Sequence, residues 1–230
     1  MMISVIIPTL NESSTIARTL TRTVALGFDE IIVSDGGSTD PTLQMVQACC
    51  ARVTDVRLVT APTGRARQLN EGVKASRSDI LLFLHADTEL PPTAKSAIES
   101  ALKNPHYVGG RFDVCFDRPS RWGTIISWFM NRRSRLTGIS TGDQAIFVRR
   151  QVFEQMGGFP DIPLMEDIEF SRRLKRQGLT AALTDHVTTS FRRWEKTGPL
   201  RTILLMWMLR FLYWLGVSPS RLNQWYRAVR

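Results

Sequence analysis

At 230 residues, with 43% hydrophobic and 22% charged side chains, the chain is long enough to bury a full core, which excludes intrinsic disorder. Its net charge of +9 sits in the second half: residues 1–115 carry 11 basic and 12 acidic side chains, residues 116–230 carry 19 and 9. That asymmetry suits an anionic membrane surface or a phosphorylated ligand, whereas nucleic acid is set aside because RNP-like aromatics and zinc-knuckle spacing are both missing.

Ile3–Ile7 is a β-branched run ending at Pro8 and predicts a strand. After Asn11-Glu12-Ser13-Ser14, the spacing of Ile16, Leu20 and Val24 predicts a helix that Gly27 ends. The N-terminus shows no signal-peptide pattern of a basic region followed by an apolar core. Glu30–Ser34 predicts a second strand that empties into Asp35-Gly36-Gly37-Ser38-Thr39-Asp40, with Asp40 and Pro41 suited to start a helix. Cys49, Cys50 and Cys115 are odd in number and lack metal or disulfide spacing, so a reducing cytosol is the expected compartment. Val56–Thr60 predicts a third strand, Thr63–Ser76 a helix carrying Arg65 and Arg67, and Asp79–His85 a fourth strand. Short apolar strands alternating with helices predict a parallel sheet with right-handed crossovers.

The chain is organised around Ile80–Glu89, where five apolar residues run into His85-Ala86-Asp87 before the Pro91-Pro92 breaker. Asp87 then either caps the helix that starts near Pro92 or belongs to the ligand site that open α/β sheets keep at their C-terminal strand ends. Loops after three strands carry Glu12, Asp35 and Asp87, and parallel strands bring such loops to one edge. Asp35 alone is equally explained by the turn chemistry of Asp-Gly-Gly-Ser. His85 and Asp87, two residues apart, can turn toward one divalent ion, and imidazole favours Mn²⁺ somewhat over Mg²⁺.

In the second half, Val108–Phe116 and Gly142–Val148 predict strands, and Trp122–Met130 is an apolar, aromatic segment between Arg121 and Arg132-Arg133. Phe153–Gly158 predicts a short helix, and Met165–Gln177 a basic one with Gly178 just past its end. Glu166-Asp167 either complements that helix's dipole or supplies a base, behind the loop Gly157-Gly158-Phe159-Pro160. Ile203–Val217 holds 15 residues interrupted only by Arg210 and Gly216. It is shorter than the roughly 20 residues of a spanning helix, which leaves a helix in a membrane interface, against a partner, or folded on its own domain.

Pro8-Thr9-Leu10-Asn11-Glu12, Asp35 to Asp40, His85-Ala86-Asp87, Gly142-Asp143-Gln144, Glu166-Asp167 and Arg192-Arg193-Trp194 occur in this order over almost the whole chain. In order and spacing they resemble the motifs of family 2 glycosyltransferases with the GT-A fold, most of all the small bacterial branch called radical-SAM/selenodomain-associated transferase 2. The resemblance implies an α/β fold with a Rossmann-like, mostly parallel sheet flanked by helices. It implies a transferase domain over 1–198, with a nucleotide-sugar half (1–115) and an acceptor half (116–198), and a basic, apolar helical extension over 199–230.

It further implies roles. Pro8, Leu10, Glu12, Asp35, Arg65, Arg67 and Ala86 would border the nucleotide, Asp35 by accepting the imide proton of a uracil. Asp87 with His85 would hold a divalent metal, Mn²⁺ or Mg²⁺, on the diphosphate. Gly142, Asp143, Gln144, Arg193 and Trp194 would border the acceptor, and Asp167 beside Glu166 would be the base of an inverting transfer to an acceptor hydroxyl. Two departures stand out. The glutamine of the Gln-x-x-Arg-Trp element of processive members is replaced by Thr189 or Ser190, which argues against polymer synthesis. His85 stands where many relatives carry the first aspartate of Asp-x-Asp, leaving one negative charge fewer for the metal.

The expected partners are a UDP-linked sugar donor and an acceptor of unidentified structure, lipid-linked or amphiphilic in the simplest case, with no nucleic acid. Peripheral membrane contact through 199–230 and a homo-oligomer are compatible with the pattern, and the expected location is the cytoplasm, at the inner face of the membrane. Two other readings compete. A sugar-phosphate nucleotidyltransferase calls for a Gly-rich, lysine-bearing loop after the first strand, where Asn11-Glu12-Ser13-Ser14 stands instead. A membrane-associated, non-catalytic nucleotide-sugar-binding module does not account for the acids at 35, 87 and 167.

Overall fold

A computed structural model describes residues 1–229, apart from the side chains of residues 193 and 227–229. The strands β1 (Ile3–Thr9), β2 (Glu30–Asp35), β3 (Val56–Thr60) and β4 (Ile80–Phe83) pair in parallel, with β1 between β2 and β4. Helices α1 (Ile16–Val24), α2 (Thr42–Cys50) and α3 (Arg65–Ala75) connect them. Beyond β4 the sheet continues through strands that are not all parallel. These are β5 (Thr88–Glu89), β6 (Tyr107–Phe116), β7 (Phe147–Arg149) and β8 (Leu179–Thr189), and the full order is β3-β2-β1-β4-β7-β6-β8-β5. β7 runs antiparallel to both β4 and β6, whereas β6 and β8 are parallel.

The central strands are apolar on both faces because both faces are covered. Ile3, Val5 and Ile7 pack toward α1, α2 and α4 (Ala94–Leu102). Ile6, Ile32, Leu81 and Phe83 pack toward α3, α6 (Arg150–Gln155) and α7 (Glu166–Leu174). The α3 layer lies so close that a Cβ on Gly72 would come within 2.5 Å of Ile6 Cγ2. Under the C-terminal end of β4, Phe83, Phe153, Phe159 and Phe170 form one aromatic cluster, with Phe159 and Phe170 stacked at 4.1 Å between centroids. Such pairs add about 0.5–1.5 kcal/mol each beyond their area, so this floor is rigid.

Three sequence expectations change. The predicted strand Gly142–Val148 is instead a 3-10 turn over Gly142–Gln144 followed by the short β7. Ala145, at φ 45°, breaks the extended run, and the Gln144 side chain turns back to accept the Thr141 N–H. The strand predicted over Asp79–His85 ends at Phe83, and after a last bond from the Leu84 N–H to the Ile6 carbonyl (3.0 Å) the chain turns through His85 to Asp87. β8 escaped prediction because its pattern is diluted by threonines, with only Ala181, Val187 and Thr189 buried.

The remaining helices are α5 (Arg121–Thr137), between β6 and the 3-10 turn, and α8 (Arg192–Thr197), α9 (Pro199–Trp214) and α10 (Pro219–Val229) at the C-terminal end. α9 is folded on its own domain along one face, where Leu209 is fully buried with Leu222 of α10 and Met165 at the start of α7. Its other face is exposed: Leu200, Leu204, Trp207, Met208, Phe211, Trp214 and Leu215 recur at helical spacing on one stripe. Among the described residues no helix is long and apolar enough to cross a membrane.

Candidate active site

The ends of β1, β2 and β4 share one edge, and their loops are tied together there. Asn11, at φ 57°, accepts the Thr39 N–H at 2.9 Å through Oδ1, and the Glu12 N–H donates to Thr42 Oγ1 at 2.8 Å. Buried Asp35 is the hub. Its Oδ1 accepts from Thr9 Oγ1 (3.0 Å) and Ser38 Oγ (2.5 Å), and its Oδ2 accepts the N–H groups of Gly37 (2.9 Å) and Ser38 (2.8 Å). A carboxylate offers about four acceptor sites, so the loop itself fills them. Gln68, which the sequence reading passed over, donates to the Thr9 and Ser34 carbonyls at 2.6 and 3.1 Å and pins β1 to β2. Pro8 and Ala86 are buried on this edge while Leu10 stands exposed at its mouth. The Ala86 carbonyl accepts from Thr19 Oγ1 at 2.7 Å, fixing the His85-Ala86-Asp87 loop to α1.

Asp87 does not cap α4, which has no side-chain cap; among the described residues its carboxylate makes only a long contact with Thr88 Oγ1, 3.4 Å. Glu12 lies near enough for burial and then the Asp87 charge to push its pKa up, against Thr15, Arg192 and His85. His85 Nδ1 is 3.1 Å from Asp143 Oδ1. A Cβ on Gly142 would overlap His85 Nε2, so glycine is what lets the imidazole lie there.

Among the described residues no three His, Cys, Asp or Glu side chains group closely enough to hold a metal by themselves. Both nitrogens of His85 face protein, one Asp143 and the other Gly142. The mutual repulsion of Asp87 and Glu12, only partly offset by Arg192 and His85, is nonetheless one that a divalent cation would relieve. Such a donor set fits an ion that draws most of its shell from phosphate oxygens and water, as Mg²⁺ and Mn²⁺ do beside diphosphates.

The opposite wall is the start of α7. Glu166 is buried, and its pKa is raised by burial, with Arg65 pulling it down and Asp167 pushing it up. Arg65 Nη1 stands 3.3 Å from Glu166 Oε1. Desolvation works against the Arg65 charge, but Glu166, Asp167, Asp143 and Tyr226 outweigh it, and the guanidinium is held more firmly protonated than in water. Asp167 is fixed by backbone: Oδ2 accepts the Gly142 N–H at 2.9 Å and Oδ1 the Ile168 N–H at 2.7 Å. Arg65, Phe83, His85, Gly142, Glu166 and Asp167 line one small pocket. Arg67 is not part of it, being turned to Asp161 at 2.8 and 3.0 Å. Asn70, also passed over, grips Phe159 by both backbone groups at 2.9 Å and holds the loop before α7.

The non-glycine residues at positive φ among those described are Asn11, Ala145 and Met165. They adjoin Glu12, Gln144 and Glu166. Left-handed backbone costs about 1–2 kcal/mol for Ala or Met, and strain of this kind collects at functional sites.

From α8, Arg192 reaches back to Ser14 Oγ at 2.7 Å and lies 3.9 Å from Glu12. Trp194 packs edge-on against Phe116, 6.0 Å between centroids; the Arg193 side chain lies outside the described residues. Buried Gln144 turns inward, its amide 3.5 Å from the Phe112 carbonyl. Two further arginines lie close enough to feel the charges of the site. Arg133 on α5 has its pKa pushed down to about 10 by burial and then by the charge of Arg210 on α9, against Asp167 and Asp143. Arg210 feels burial and then the same two aspartates. The signal for Arg210 was its place as the one charge inside an apolar run.

The chain belongs to glycosyl transferase family 2, whose model matches residues 4–157. It is 27% identical over 201 residues to the probable glycosyltransferase YdaM of Bacillus subtilis, covering 76% of this chain and 47% of YdaM. It is 29% identical over 168 residues to an undecaprenyl-phosphate 4-deoxy-4-formamido-L-arabinose transferase of Pseudomonas paraeruginosa, covering 67% of this chain and 49% of that protein. The chain thus spans about half the length of these curated relatives. Among solved structures, the mannosyltransferase PcManGT of Pyrobaculum calidifontis, in complex with GDP-Man and Mn²⁺, superposes with a TM-score of 0.61 at 24% identity, over 81% of this chain and 56% of its own. Residues 1–349 of S. aureus TarS in complex with UDP-GlcNAc give 0.64 at 19% identity, over 83% and 58%. These likenesses establish the GT-A type fold.

Proposed function

We propose that the chain is the catalytic part of an inverting glycosyltransferase that moves a sugar from a nucleotide donor, UDP-linked in our reading, to an acceptor hydroxyl. The observation that carries this is the meeting of two walls: the strand-edge acids Glu12 and Asp87, and the start of α7, where Asp167 is clamped by the Gly142 N–H. In the proposed reaction Asp167 takes the acceptor hydroxyl proton as that oxygen attacks the anomeric carbon from the face opposite the departing nucleoside diphosphate. Its two backbone hydrogen bonds orient it, leaving lone pairs for the proton. Arg65, held charged by Glu166, stands ready to meet the negative charge that grows on the leaving group. Asp87, with Glu12 and His85 nearby, would hold the divalent metal; when bound, it supplies neutralisation of the diphosphate. Asp35, saturated by its loop, shapes the base pocket through the Gly36-Gly37-Ser38 backbone and Pro8, Leu10 and Ala86, instead of taking the imide proton directly.

The acceptor is bordered by Gly142 and Asp143 with Arg193 and Trp194, Gln144 supporting the turn from its buried side, and the relative named as an undecaprenyl-phosphate transferase supports a lipid-linked one. Residues 1–198 are the transferase domain, and the exposed stripe of α9 in the 199–230 extension meets the inner face of the membrane. Within the family we assign the chain to the radical-SAM/selenodomain-associated transferase 2 branch. A thermal-shift panel of sugar nucleotides and nucleoside diphosphates, with and without Mn²⁺, tests the reading. A metal-dependent rise in Tm with a uridine donor is expected; no stabilisation by any nucleoside diphosphate overturns it.

A further inference from the structure

Arg133 and Arg210 differ from the other partly buried arginines of this chain. Arg111 is paired with Asp113, Arg149 donates to the Leu102 and Tyr107 carbonyls, and Arg150 donates to the Ser78 carbonyl and Ser76 Oγ. Arg133, by contrast, keeps Nε and Nη2 buried with no hydrogen-bond partner, and neither it nor Arg210 reaches a carboxylate within ion-pair distance among the described residues. The two aspartates they face are already engaged, Asp143 by His85 and Asp167 by two backbone N–H groups. Two partly buried guanidiniums, close enough to repel one another and only partly offset by aspartates that are themselves engaged, are costly in the empty protein. A bound anion removes that cost.

The surroundings say what kind of anion. Helical spacing places Arg133 one turn from Phe129 and Leu136, and Arg210 one turn from Trp207 and Trp214. All four of those side chains are exposed, from 54% to 79%. Each arginine therefore adjoins an apolar stripe of its own helix, while its guanidinium feels the charges of Asp167 and Asp143 in the cleft. The segment 199–230 contains no acidic residue that would repel an anion.

We propose that Arg133 and Arg210 form an anion subsite for the phosphoryl head of an amphiphilic acceptor, whose apolar chain lies along the exposed aromatic stripes of α5 and α9. Two guanidinium forks match the charge and the several acceptor oxygens of a phosphoryl group better than a single carboxylate does. This assignment deepens the glycosyl-transfer reading and rests on it for the word acceptor. The binding of a phosphoryl amphiphile is measurable apart from it.

The test is isothermal titration of the full chain with farnesyl phosphate below its micelle concentration, farnesol, inorganic phosphate and UDP. The proteins compared are the wild type, Arg133→Gln, Arg210→Gln and the charge-conserving Arg133→Lys. Farnesyl phosphate is expected to bind and farnesol not to. Each Gln variant should lose about tenfold or more in affinity for farnesyl phosphate, with UDP binding unchanged and Arg133→Lys intermediate. If the Gln variants lose UDP and keep farnesyl phosphate, the anion is the donor's diphosphate and the acceptor assignment is overturned. Equal affinity of all four proteins for farnesyl phosphate, or equal binding of farnesol, overturns the site itself. Should a Gln variant melt below the assay temperature, the Lys variant carries the comparison, and wild-type affinity in it counts against the proposal. A chain that binds farnesyl phosphate but no nucleotide would sink the glycosyl-transfer reading and leave the subsite standing.

Discussion

Asp167 Oδ2 accepts a hydrogen bond from the Gly142 N–H at 2.9 Å, joining the start of α7 to the 3-10 turn before β7. That bond fixes the side chain proposed as the base to the same backbone that makes room for the His85 ring. Asp167→Asn keeps an oxygen for the Gly142 N–H and loses the basic group. Its turnover is expected to fall about 10²–10⁴-fold while nucleotide affinity stays within a factor of two or so, measured by steady-state kinetics beside titration calorimetry.

Gly142→Ala puts a Cβ into the His85 imidazole. Either the ring or the turn must move, at a cost of about 1–3 kcal/mol. The expected result is a lower Tm with a larger loss of activity than of nucleotide binding, read by calorimetry and initial rates.

Glu166 carries a raised pKa because burial outweighs its attraction to Arg65. A carboxyl whose folded pKa lies above its unfolded value stabilises the fold below the unfolded pKa, near 4.5, and loses that contribution as pH rises through the folded one. Glu166→Gln, neutral at every pH, should therefore gain in Tm relative to wild type as pH rises from about 4 to 8. A Tm difference that stays flat across that range, in matched buffers, would contradict the assignment.

Asp35 fills its four acceptor sites with two hydroxyls and two backbone N–H groups. Asp35→Ala strands those donors and is expected to cost on the order of 3 kcal/mol in urea unfolding. Asp35→Asn, which retains one acceptor oxygen, should cost less.

The first four strands, the edge that carries Glu12, Asp35 and Asp87, and the helix opened by Glu166-Asp167 were legible because each rests on a local signal: β-branched runs, breaker residues and acids at helix starts. The Gly142–Val148 stretch misled because its alternation looks extended, whereas its path is set by Ala145 in the left-handed region and by the inward Gln144. β8 stayed hidden because its pairing with β6 is a long-range choice that a threonine-rich strand does not advertise. Arg67 pairs with Asp161, Gln68 pins β1 to β2, and Asn70 holds a loop far away in sequence; no spacing rule reports contacts of that kind. Which face of α9 packs on the domain became visible only with the packing, since its buried Leu209 and exposed Trp207 look alike in a run of apolar residues.

The measurement that bears most directly on the proposed chemistry is release of nucleoside diphosphate from a uridine sugar nucleotide in the presence of Mn²⁺, followed at saturating donor for wild type, Asp87→Ala and Asp167→Asn. Release by the wild type, lowered about a hundredfold or more in both variants, is the predicted result. No release by the wild type with any sugar nucleotide, or equal release by all three proteins, would contradict it.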